Sequence, residues 1–128
     1  MSYSEKAAIV SVSSPSESDW NRLYYNDCFA MPSQSRIWAD TICRSGQYRD
    51  KSRLYRFADD VEALLPLFSK GSMPAFLEIQ RSPPPAWGFG GTIASAKLSA
   101  GHIAAVLEDC ERLPGAAIQI RPNPLLAD

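Results

Sequence analysis

The chain has 128 residues, a mass of 14.1 kDa and a formal net charge of −1, from 13 basic and 14 acidic residues. Its 45% hydrophobic and 21% charged content matches the globular average, which excludes a disordered tail or a fibre. This length predicts one domain that buries its own core, and the balanced charge excludes a nucleic-acid or anionic-membrane surface built on net charge.

Taken in chain order, Ala8–Val12 is rich in β-branched residues and predicts a first strand, ended by Ser13-Ser14-Pro15. Ser16 followed by Asp19 forms a capping-box pattern with Asp in place of Glu. The helix it starts carries Trp20, Leu23, Tyr24 and Cys28 on one apolar face and is broken by Met31-Pro32. Ser33 or Ser35 caps a second helix, with Ile37, Trp38, Thr41 and Ile42 inward and Gly46 as terminator. Arg53–Ala58 and Val61–Phe68 flank Asp59-Asp60 and read as a hairpin. Pro66 lacks an N–H, so it belongs at an edge or a bulge of that hairpin.

A turn over 70–74 and a strand over Phe76–Gln80 come next. Ser82-Pro83-Pro84-Pro85 predicts a stiff polyproline segment leading to Trp87-Gly88-Phe89-Gly90-Gly91 and a short strand, Thr92-Ile93-Ala94. Ser99 caps a last helix with Ile103, Val106, Leu107 and Cys110 on one face, stopped by Leu113-Pro114-Gly115. Ala116–Arg121 is the final strand, with Ile118 and Ile120 on one face, and Pro122-Asn123-Pro124 ends it. The order β-α-α-β-β-β-β-α-β predicts an α+β fold, a largely antiparallel sheet covered by helices.

No apolar window reaches 18 residues and no basic-then-apolar leader opens the chain, so a cytoplasmic protein without a membrane span is expected. Cys28, Cys43 and Cys110 show no CxxC spacing, which predicts small buried hydrophobes rather than a metal site or disulfides. His102 is the sole histidine; at the third position of a helix it is expected to face solvent and to play no chemical part. The acidic groups Glu17/Asp19, Asp59/Asp60 and Glu108/Asp109/Glu111 read as a helix start, a turn and a solvated outer helix face. Gly88-Phe89-Gly90-Gly91 fails both phosphate-loop patterns and opens a strand, so it reads as a close crossing of strands. Trp20 and Trp38 lie on apolar helix faces, whereas Trp87 sits in a Pro/Gly loop and must pack on something or bind something.

The ordered set Ser18-Asp19-Trp20, Phe29, Ser35-Arg36-Ile37-Trp38, Ala63-Leu64-Leu65-Pro66-Leu67, Phe89-Gly90-Gly91 and Ile120-Arg121-Pro122-Asn123-Pro124-Leu125 resembles the opening part of the Fem-like acyltransferases. These belong to the GNAT superfamily and include polysaccharide- and cellulose-associated acetyltransferases. The resemblance runs from about Asp19 to Leu125 and implies a GNAT-like half: a mostly antiparallel mixed sheet flanked by helices, residues 1–128 forming a single N-terminal domain of a longer protein. Such proteins transfer an acyl group from a CoA thioester, or an aminoacyl group from a charged tRNA, to an amine or hydroxyl. The donor motif, Arg/Gln-x-x-Gly-x-Gly/Ala, is not found: Pro85 stands where Arg or Gln should precede Gly88-x-Gly90. The resemblance therefore implies no cofactor in this chain and acetyl-CoA or another acyl-CoA in the complete protein. It implies a small-molecule, glycan or peptide acceptor, lined by Trp38, Arg81, Trp87, Gly90 and Gly91. It also implies a missing C-terminal half, or self-association, covering an edge strand at Ala116–Arg121. No catalytic residue and no metal ligand is assigned. The alternative is a non-catalytic α+β interaction module whose loop 82–91 presents Trp87 to a partner.

Overall fold

The computed structural model describes residues 7–70, 79–84, 87–88, 90–113 and 117–121. Within them run β1 (Ile9–Ser13), α1 (Glu17–Asn26), a 3-10 turn η1 (Pro32–Gln34), α2 (Arg36–Arg44), β2 (Tyr48–Asp50), β3 (Arg53–Phe57) and β4 (Glu62–Leu65). β5 (Phe68–Lys70), β6 (Ile79–Ser82), β7 (Ile93–Ala94), α3 (Ala100–Glu111) and β8 (Ala117–Ile120) complete them. Residues 71–74 of the expected turn, 76–78 of the expected fourth strand, Pro114-Gly115, Ala116 and Pro122-Asn123-Pro124 lie outside the described residues.

The fold is α+β, with two four-stranded sheets ordered β1-β3-β4-β7 and β2-β5-β6-β8. Every pairing is antiparallel except β6 with β8, which run parallel. One hairpin joins the sheets. Asp50 pairs with Phe68 and Arg53 with Leu65, so the register is unbroken from Tyr48–Lys70 to Arg56–Glu62. The interruption falls opposite Pro66, which has no N–H for the ladder. There Lys51 N–H donates to the Leu67 carbonyl and Leu67 N–H to Ser52 Oγ, keeping the backbone paired across the break. β2 was not anticipated, and the expected strand Val61–Phe68 is split at this proline. The turn closes with Asp60 at φ 67, which a short polar residue tolerates, and with Val61 N–H on Asp59 Oδ1.

Strand alternation sends two sets of side chains to opposite faces. Leu54, Leu64, Phe68 and Ile93 pack with Trp20, Leu23, Ala39 and Ile42 of α1 and α2. Tyr55, Phe57, Ala63, Leu65 and Leu67 pack with Ala105, Val106 and Cys110 of α3. The sheets therefore lie between two helical layers, with β8 as an outer strand.

Three expected inward faces are corrected. On α1 the buried residues are Trp20 and Leu23, and Cys28 lies exposed beyond the helix. On α2 they are Ala39 and Ile42, while Ile37 is 74% exposed. On α3 they are His102, Ala105, Val106 and Cys110, leaving Ile103 and Leu107 about half exposed. Polar anchors turn α3. Tyr55 Oη donates to Asp109 Oδ2 at 2.8 Å, and Arg53 Nε donates to the same oxygen at 3.0 Å. Asp109 thus points at the sheet instead of solvent, and burial pushes the Tyr55 phenol far above its ordinary value.

A second ionic cluster ties α1 to the sheet: Arg22 bridges Asp19 and Glu62, and Arg56 also reaches both. Arg22, placed beside each carboxylate, holds Asp19 and Glu62 below their usual values. Both folded values are depressed, so their stabilisation is complete above the unfolded carboxylate range and is lost as pH falls through the folded values. Thermal melts between about pH 5 and about pH 2 are expected to show wild type losing about 0.5–1 kcal/mol that Glu62→Gln, which lacks it throughout, does not lose.

Candidate functional site

Gln34 organises the expected site. The turn η1 presents it fully buried. Its Oε1 accepts Met31 N–H at 2.8 Å, and its Nε2 donates to the carbonyls of Gly90 at 3.1 Å and Gly91 at 3.3 Å. Its own carbonyl accepts the Trp20 indole N–H at 2.9 Å. Ser35 then caps α2 by accepting Trp38 N–H. Trp38 donates its indole N–H to the Trp87 carbonyl at 2.8 Å, and the two rings meet edge-to-face at 6.1 Å. Across from Gln34 the glycine segment meets Ser82: Gly91 N–H donates to Ser82 Oγ at 3.0 Å, and Gly90 N–H to the Arg121 carbonyl at 2.7 Å.

Four of the five expected site residues are therefore joined in two pairs: Gly90 and Gly91 lie between Gln34 and Ser82, and Trp38 packs on Trp87. Arg81 precedes Ser82 in β6, opposite Phe68 and Gln119, and its guanidinium makes no hydrogen bond or ion pair among the described residues. The Gly90 and Gly91 N–H groups are both engaged within the protein, so neither is available to a phosphate or an oxyanion. The two half-buried indoles are the parts of this cluster that can meet a ligand. Pro83 and Pro84 are buried beside it rather than standing out as a stiff spacer.

His102 is buried, which corrects the expectation of a solvated side chain. Its Nδ1 accepts Ser99 N–H at 3.0 Å, and Ser99 Oγ accepts His102 N–H at 3.2 Å, a capping box with His in place of Glu. The proton then sits on Nε2, 2.8 Å from Asp59 Oδ2. Val61 N–H and then His102 hold the Asp59 carboxyl below its usual value. Ser99 Oγ also lies 2.9 Å from Nδ1, a serine–histidine–aspartate order. The Nδ1 lone pair already faces the Ser99 amide, so the arrangement caps α3 and joins it to the hairpin turn.

A cleft of about 400 Å³ opens between the end of α1, residues 92–98 and α3. That size is in the range of small-molecule sites. Asp27 builds its back wall: Oδ1 accepts Phe29 N–H at 2.9 Å and Oδ2 accepts Ala94 N–H at 3.0 Å. Phe29, Ala94, Leu98 and Ile103 give it apolar walls, and Cys28, Ser95 and Lys97 line it as well. It was missed in the sequence because its lining comes from three separate elements. The one available signal was Ile103 with Leu107, an i, i+4 apolar pair set off the arc that α3 buries.

Among the described residues no three His, Cys, Asp or Glu side chains are grouped to hold a metal ion. No described helix is long and apolar enough to cross a membrane. In comparison with known proteins, no family model matches the chain, and neither a curated sequence nor a solved structure matches it.

Proposed function

We propose that this chain forms the acceptor side of a Fem-like, GNAT-type acyl- or aminoacyl-transfer site, with the donor held by a second half of the complete protein. The carrying observation is the mixed sheet: one parallel pair among the described strands, β6 with β8, connected by way of β7 of the other sheet and then α3, in an otherwise antiparallel arrangement with helices on both faces. The internally satisfied N–H groups of Gly90 and Gly91 support the assignment of the donor elsewhere. Acyl transfer in such a site rests on positioning and on carbonyl polarisation, and it asks for no triad or metal. The acceptor is a small molecule, a glycan or a peptide bearing an amine or hydroxyl, set against Trp38 and Trp87.

Indole N–H signals test this directly. Trp20, fully buried and bonded to Gln34, is the internal reference. Titration with glucosamine oligosaccharides and with short peptides carrying a free amine is expected to move the Trp38 and Trp87 signals and leave Trp20 in place. Acetyl-CoA is expected to give no binding heat with this chain. Micromolar acetyl-CoA binding, or no indole response to either acceptor class, overturns the reading.

A further inference from the structure

The cleft between α1 and α3 stands apart from the Trp38–Trp87 cluster and carries its own chemistry. Its walls are apolar, and two of them, Phe29 and Ile103, are 49% and 48% exposed, so a ligand there removes apolar surface from water. Leu107, 46% exposed one turn beyond Ile103, extends that surface along α3. Two charges line the cleft and they are not equivalent. The Asp27 carboxylate has both oxygens satisfied by backbone N–H groups, whereas Lys97 has no carboxylate partner among the described residues. Both Asp27 oxygens are thus committed to backbone, and the Lys97 ammonium is the charged group left to pair with a ligand beside the apolar trough.

We propose that this cleft binds a small amphipathic carboxylate, its unbranched apolar chain lying against Phe29, Leu98 and Ile103 and its carboxylate meeting Lys97. The wall around Asp27 is preformed: its carboxylate accepts Phe29 N–H and Ala94 N–H, so these lining residues need no ordering on binding. The inference is independent of the acyl-transfer reading.

Cys28 supplies the readout. It is exposed and lines the cleft, whereas Cys43 is half-buried and Cys110 buried, with burial pushing both of those thiols up. The rate of Cys28 alkylation by iodoacetamide, followed by peptide mapping, is expected to fall saturably as decanoate is added. Decylammonium, with the same chain and the opposite charge, is expected to give no protection. Lys97→Glu is expected to weaken decanoate about tenfold or more, an effect set by one reversed charge in a partly exposed site. Ile103→Asp is expected to abolish protection; both positions are exposed enough for the fold to persist, checked by thermal melting. No protection by decanoate, equal protection by decylammonium, or binding indifferent to Lys97→Glu overturns the proposal.

Discussion

Replacing Gly90 by alanine is expected to cost about 2–3 kcal/mol, the size of an overpacked core substitution. An added Cβ would fall against the Ser82 carbonyl, with Ser82 Oγ at 2.6 Å. Backbone cannot swing aside as a flexible side chain can. Ser82 is also fixed from both sides, by Arg121 N–H on its carbonyl and Gly91 N–H on its hydroxyl. At this chain length the loss corresponds to a melting point lower by on the order of 10 °C. Gly46→Ala is the control. Gly46 has φ +83 and nothing within 4 Å of an added Cβ, so only the left-handed backbone opposes the methyl. That costs about 1 kcal/mol. If the two variants melt together, close approach at Gly90 is not what its glycine serves.

The contrast between these glycines shows what could be read from the sequence. Gly46 ends a helix, a local role, and its position after an apolar periodic stretch was sufficient to place it. The caps Ser16 and Ser99 and the turn at Asp59-Asp60 were legible for the same reason, and the cap of α2 was narrowed to Ser33 or Ser35, of which Ser35 serves: each is specified by neighbours within four residues. Pro66 likewise marked an edge or bulge in the hairpin, but not that the strand Val61–Phe68 divides there. For Gly90, pattern alone suggested a close strand crossing, but the strand it meets could not be named. The wrong face on α3 has a long-range cause. Apolar periodicity on α3 gave Ile103 and Leu107 the same weight as Val106 and Cys110. The choice between those arcs was made by Tyr55, Arg53 and Asp59 reaching Asp109 and His102 from more than forty residues away. β2 escaped because Tyr48-Arg49-Asp50 is short and mostly exposed, and is a strand only as the continuation of its hairpin. Gln34 carried no signal at all: a lone polar residue after a proline looks like solvent-facing loop.

Gln34 is also where a single oxygen-for-nitrogen exchange should have its largest effect. Gln34→Ala leaves Met31 N–H and the Gly90 carbonyl without their partner in a fully buried setting, an expected loss of about 2–3 kcal/mol. Gln34→Glu keeps size and shape but turns a donor toward two carbonyls into an acceptor. At neutral pH it is expected to cost about 3–5 kcal/mol, more than the truncation, because one oxygen of a buried carboxylate is set against carbonyl oxygens. The introduced carboxyl is expected to hold its proton in the folded state well above the unfolded value of about 4.3, since only the protonated form can donate to Gly90. A folded value raised in this way gives stability that is complete below the unfolded value and lost as pH rises through the folded one. The Gln34→Glu deficit relative to wild type should therefore shrink on acidification, opposite in direction to the loss that protonation of Asp19 and Glu62 imposes on both proteins. Melting both chains at each pH and taking the difference cancels that shared loss. A deficit that stays constant or grows toward acid pH would show that the Gln34 amide nitrogen does not face the glycine carbonyls, and the bridge from η1 to residues 90–92 would have to be redrawn.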